Sequence, residues 1–297
     1  MFSIVTLANV ANVANVANVA NVANVLKYNS FESSAHFTVH FNSPETSVAE
    51  AKAITVAAEA EYENLVSFLG NERSPKEITI FLEGPAFNSK TKVFSYPSAD
   101  KKGQVHLYRF PGEAFAYSEA IAHELVHVFR TITWPAKSGQ SDVPGFGFIE
   151  EGFAEFVSIQ TAPKFKGFVR YGFPLEIVVG FLIEDQKEIP LGILFDRHEL
   201  NPKCVAQAYP LRASFFQYLF ETYGQEKVFQ LAYYEKTISK DLFSDIFTKS
   251  FDSLLVEWRR YALEKYNNYP ENKKLKKAYL ETTPISRFQF CKVGTDW

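Results

Sequence analysis

Of all the residues in this 297-residue chain, His123-Glu124-Leu125-Val126-His127 have the types and spacing best suited to chemistry. On a helix, residues four apart lie one above the other, so both imidazoles leave from one face and can share one ion. Glu124 is about 100° around from His123, placed to reach a water on that ion rather than the ion itself. Metal-assisted hydrolysis needs that arrangement. A catalytic zinc also requires a third protein ligand and one open position. Downstream, Phe148-Ile149-Glu150-Glu151-Gly152-Phe153-Ala154-Glu155-Phe156 reads as a second helix that offers Glu151 as this ligand. Twenty-three residues lie between His127 and Glu151, enough for the first helix to end and the chain to return. Glu155, one turn beyond Glu151, is placed to accept the spare N–H of His123 and fix its tautomer. The plainer alternatives are an ordinary half-buried helix that carries two histidines, and a solvated acidic face made by Glu150, Glu151 and Glu155.

These helices need a frame. Ala35 to Phe41 alternates apolar and polar residues like a half-buried strand, and Ser47 to Leu69 carries apolar residues at helical intervals, ending at Gly70. Glu77 to Leu82 and Val105 to Phe110 read as further strands, with a polar turn region at Ser98 to Gly103 between them. From Pro111-Gly112 to about Tyr266 the pattern is helical, with loops expected at Trp134 to Gly147 and Leu191 to Lys203. Residues 267–297 are polar and lysine-rich and read as a surface tail. The expected fold class is α+β. Its parts are a low-complexity stretch over 1–30, a small sheet-and-helix lobe over 31–112, and a mainly helical lobe with a polar tail over 113–297. The stripes Phe215, Phe216, Tyr218, Leu219 and Phe243, Phe247 read as helix core.

Composition narrows the function classes. A content of 46% hydrophobic and 22% charged residues excludes a disordered or collagen-like chain. A net charge of -3 gives no electrostatic reason to expect nucleic acid or an anionic membrane as partner. Ala-Asn-Val, repeated from Ala8 to Val25, has a period of three and builds neither a helical nor a strand face. It lacks a basic n-region and an unbroken apolar h-region, so no leader is recognisable there, and neither it nor Pro174–Ile183 is a credible membrane span. Location stays open. Two cysteines, Cys204 and Cys291, rule out a disulfide-dense scaffold and leave one disulfide or two free thiols.

The metzincin pattern is excluded, because Thr133 stands where its third histidine belongs, Arg130 replaces its glycine, and Met1 is the sole methionine. His-Glu-x-x-His followed by Glu151-Gly152-Phe153-Ala154 instead resembles the gluzincin metallopeptidases, the group of thermolysin and aminopeptidase N, and most of all the short peptidase MA-like members. The resemblance spans about Ala35 to Tyr266. It implies a zincin-like fold with the metal site between the two lobes, and one Zn2+ per chain on His123, His127 and Glu151. Glu124 is then the general base, and the substrate a peptide or protein. Tyr209-Pro210-Leu211-Arg212 is similar to the segment from which aminopeptidases supply a tyrosine to the oxyanion, which assigns that role to Tyr209. Gly84-Pro85-Ala86-Phe87-Asn88 lacks the glutamate with which aminopeptidases hold a free amine, so endopeptidase activity is expected. The strand Val105 to Phe110 takes the place where gluzincins pair an extended peptide with a sheet edge.

Other candidates are plainer. His198 reads as a surface histidine, His36, His40 and His106 as structural, and Cys204 has no partner for a nucleophile's role. The alternative functions are a catalytically silent zincin-fold binding protein and a zinc hydrolase of a non-peptide substrate.

Overall fold

The computed structural model describes residues 27–43, 45–85, 87–88, 93–94, 97–100, 102–109, 118–133, 145–162, 167–169, 172–196, 204–234 and 236–282. The Ala-Asn-Val tract, His198, Cys291 and most of the loop expected at Trp134 to Gly147 lie outside them. The chain forms an α+β structure of two compact units, one of residues 1–60 and 75–117, the other of residues 61–74 and 118–297.

The first unit is a five-stranded mixed sheet in the order β1-β2-β3-β7-β6, with β1 (Ser30–Ser33), β2 (Phe37–Phe41), β3 (Ile78–Pro85), β6 (Ser98–Ala99) and β7 (Val105–Arg109). β4 (Phe87–Asn88) and β5 (Val93–Phe94) form a separate ribbon. β2, β3 and β7 run parallel, and a parallel pair needs a long crossover. Helix α1 (Val48–Leu69) supplies the one between β2 and β3. Alternation puts Phe37, Val39, Phe41, Ile80, Leu82, Val105 and Leu107 on one buried face, and α1 buries Ala51, Ile54 and Ala58. Two polar ties hold the helix along the sheet. His36 Nδ1 lies 2.8 Å from Glu59, and Arg109 Nη2 donates to Glu50 at 2.8 Å.

The sheet edge differs from the expectation. β7 is paired along its start, with Ser98 opposite His106 and Ala99 opposite Val105. The outer strand is therefore β6, drawn from the polar stretch that reads as a turn, because two residues are too few to show alternation.

The second unit is helical: α2 (Ser118–Thr133), α3 (Phe146–Thr161), α4 (Leu175–Glu184), α5 (Leu191–Asp196), α6 (Val205–Tyr223), α7 (Gln225–Ala232), α8 (Asp241–Phe247), α9 (Phe251–Asn268) and α10 (Asn272–Thr282). α3 packs against both α2 and α6. Phe148, Phe195, Phe215, Phe243 and Phe251 form one aromatic cluster, and Phe68 at the end of α1 stands 5.8 Å from Phe220. All six stripe residues from Phe215 to Phe247 are buried.

Three segments depart from the sequence reading. α5 falls in the loop expected at Leu191 to Lys203; six residues are too short for a periodic signal, yet Leu191, Leu194 and Phe195 are buried. α10 falls in the expected tail. It buries little beyond Tyr279, which meets Phe173 and Phe181, while Lys276 pairs with Glu184 and Asp185. A helix held by one ring and one cation leaves no apolar stripe to read. β8 (Phe168–Val169) and β9 (Phe173–Pro174) make a small ribbon inside a stretch expected to be helical. No described helix is long and apolar enough to cross a membrane.

Candidate metal centre

α2 is helical where His-Glu-x-x-His predicts, and its apolar residues Ile121, Ala122, Leu125, Val126, Val128 and Phe129 are all buried. α3 is preceded by Gly145 at its N-cap, whose φ of 84° no side chain adopts easily and whose missing Cβ would fall 2.5 Å from the Phe195 ring. The helix then carries Glu150, Glu151 and Glu155 towards α2. All of these residues belong to the second unit.

Three ligand atoms meet. His123 Nε2 lies 3.2 Å from His127 Nε2 and 3.2 Å from Glu151 Oε2, and His127 Nε2 lies 3.7 Å from the same oxygen. Tetrahedral ligands at about 2.0–2.1 Å from zinc stand about 3.3–3.4 Å apart, so a point roughly 2 Å from all three atoms exists here. These residues therefore fit a metal ion, and they form a three-residue group able to hold one.

The remaining ring nitrogens are also engaged. His123 Nδ1 lies 2.9 Å from Glu155 Oε2, and His127 Nδ1 lies 2.8 Å from Glu150 Oε1. A carboxylate on Nδ1 keeps its proton there and turns the Nε2 lone pair towards the ion. Glu155 thus stands beside His123 as its spacing suggests. Glu150 and Arg130 are the residues that the sequence reading missed: Arg130 Nη1 reaches Glu150 Oε2 at 2.5 Å. A clue existed in Arg130, three residues after His127 on the same apolar helix, because a buried cation requires an anion.

The charges favour a cation. Burial disfavours the charged form of His127, but Glu151 and Glu150 outweigh it and hold the imidazole well above its usual value. His123 is raised in the same way, against burial, by Glu151 and Glu155. Burial also disfavours ionised Glu151, yet the two histidines hold its carboxyl well below the usual range. The carboxylates that favour protonated histidines also favour a metal cation, which would compete with those protons.

Glu124, the residue after His123, is 6% exposed. The Tyr209 ring sits 5.5 Å from that of His123, so α6 brings this tyrosine to the cluster. Gly152 makes the close approach of α3 and α6 feasible. A Cβ there would meet Phe216 at 2.8 Å and Arg212 at 3.1 Å.

The other candidates lie elsewhere. His36 and His106 pair with Glu59 and Glu83, and His40 stacks on Phe81, all within the first unit. Cys204 is buried and disulfide-bonded, which removes it as a nucleophile. Compared with protein-family models and with curated proteins, the chain matches none.

Proposed function

We propose that the chain is a zinc-dependent metallopeptidase. The observation that carries the reading is the triangle of His123 Nε2, His127 Nε2 and Glu151 Oε2, with sides of 3.2, 3.2 and 3.7 Å. A fourth, protein-free position is what separates a catalytic zinc from a structural one. When bound, zinc would polarise a peptide carbonyl and bring a water's pKa to about 7. The residues do the rest. Glu124 takes the proton of the attacking water and passes it to the leaving amine, as its place beside His123 in the His-Glu-x-x-His order allows. Tyr209 donates its hydroxyl proton in a hydrogen bond to the oxyanion as the carbonyl becomes tetrahedral. Glu155 and Glu150 hold the two imidazoles in the ligating tautomer. The missing amine-holding glutamate favours internal cleavage over removal of the first residue.

Elemental analysis tests the first half. Wild type should carry about one zinc per chain and Glu151→Ala little. Cleavage of an unfolded protein, blocked by a chelator, tests the second. Glu124→Gln should keep the metal and lose turnover; full peptidase activity in this variant would sink the assignment.

A further inference from the structure

Arg212 is a buried cation with few partners. It stands on α6 three residues beyond Tyr209, on the same side of the helix, and is 2% exposed. A guanidinium carries five N–H donors. Among the described residues it makes one hydrogen bond, a long one of 3.4 Å from Nη2 to the Leu194 carbonyl, and Nε has no acceptor. Its guanidinium carbon lies 5.9 Å from the Phe148 ring centroid. Arg130, equally buried, has the Glu150 carboxylate at 2.5 Å. Among the described residues Arg212 makes no such ion pair: Glu151 acts on its charge only from beyond that distance, and a buried charge with so few hydrogen bonds is costly.

The geometry says what would satisfy it. Phe148 and Leu194 back the guanidinium, and Gly152 brings its stem against the helix that carries Glu151. On its other side Glu151 and Tyr209 act electrostatically on the guanidinium, and these two are the more open groups, the Glu151 side chain being 29% exposed and Tyr209 half-buried. A planar guanidinium fork matches a carboxylate through two parallel hydrogen bonds. A divalent ion on two neutral imidazoles and one carboxylate carries a net charge of +1, which Glu155 offsets while Arg130 offsets Glu150, so Arg212 is the cation that a second anion would meet.

We propose that Arg212 is a specificity-determining residue that receives a carboxylate of the substrate, either an Asp or Glu side chain or the free C-terminus of a peptide. The proposal rests on the peptidase reading for its substrate class, and its test separates the two.

Binding is read without turnover in zinc-loaded Glu124→Gln protein, titrated with two pairs of fluorescent peptides. One pair differs only as Glu against Gln, the other as a free against an amidated C-terminus. The carboxylate member of one pair should bind about tenfold or more tightly than its neutral counterpart, and which pair shows this identifies the source of the carboxylate. Adding Arg212→Met should reduce the advantage to about twofold or less with the helical circular dichroism unchanged. If Arg212→Met does not fold, Arg212→Lys, which keeps the charge and loses the fork, must weaken the preference several-fold. Equal binding within both pairs, no binding of any peptide, or a preference untouched by these substitutions overturns the proposal. An Arg212-dependent preference in a wild type that cleaves nothing keeps the carboxylate site and removes the peptidase reading. Equal binding within both pairs in a wild type that cleaves them does the reverse.

Discussion

His127 Nδ1 lies 2.8 Å from Glu150 Oε1, and the other oxygen of that carboxylate lies 2.5 Å from Arg130 Nη1. The arginine and histidine come from one helix and the glutamate from another, so a single carboxylate orients a candidate ligand and neutralises a buried cation. Glu150→Gln should therefore weaken zinc binding by about 10–100-fold, as loss of such a supporting carboxylate typically does. Competition with a fluorescent chelator measures this. Unchanged affinity would mean that Glu150 serves Arg130 alone.

The Tyr209 ring is 5.5 Å from His123, yet no ligand atom of the cluster belongs to it. Tyr209→Phe should keep the zinc and lower turnover by roughly two orders of magnitude, the usual cost of one oxyanion donor. Zinc content and kcat on the same preparation check both halves. Wild-type rates would leave the tyrosine a packing role only.

Gly152→Ala tests the approach of α3 and α6. The added methyl meets a Phe216 ring carbon at 2.8 Å, and a ring between two helices cannot swing aside as a flexible side chain does. Overpacking of this kind costs about 1–3 kcal/mol. Chemical denaturation should show that loss, with reduced turnover as Tyr209 moves away with α6. A variant as stable as wild type would show that the helices separate freely.

The cluster also sets a pH dependence. Against the cost of burial, His127 is held well above its usual value of 6.5 by Glu151 and Glu150. A raised histidine adds stability to the metal-free chain that is complete below 6.5 and is lost as pH rises through its folded value. Glu151, held well below 4.5 by the histidines against burial, adds stability that is complete above 4.5 and is lost as pH falls through its folded value. Both contributions are thus present together from 4.5 to 6.5. Zinc must displace the histidine protons, so it binds more tightly as pH rises. The gain in Tm on adding zinc should widen between about pH 5.5 and pH 8, measured by thermal unfolding at each pH. A gain that shrinks over this range would contradict the proton–metal exchange.

Much of this site is legible in the sequence because helical spacing is a local property. His123 and His127 share a face by being four apart, and Glu151 and Glu155 do so for the same reason. The main strands and α1 show likewise through alternation and 3.6-residue periodicity. Short or lightly buried elements leave no such trace: β6 pairs two residues, α5 is six residues long, and α10 is anchored chiefly by Tyr279 and Lys276.

What the sequence determined by itself is which residues can share a helix face, and so which histidines and carboxylates could meet. Whether they meet, and what stands behind them, only the tertiary structure decided. Glu150 supports His127 while Glu155 supports His123 because of how α3 lies against α2, and Arg212 keeps a buried Nε with no acceptor among the described residues because of what α3 and α6 bring beside it. Those partnerships join residues far apart in the chain. Their energies depend on distances of a few ångströms between helices, which no local periodicity records.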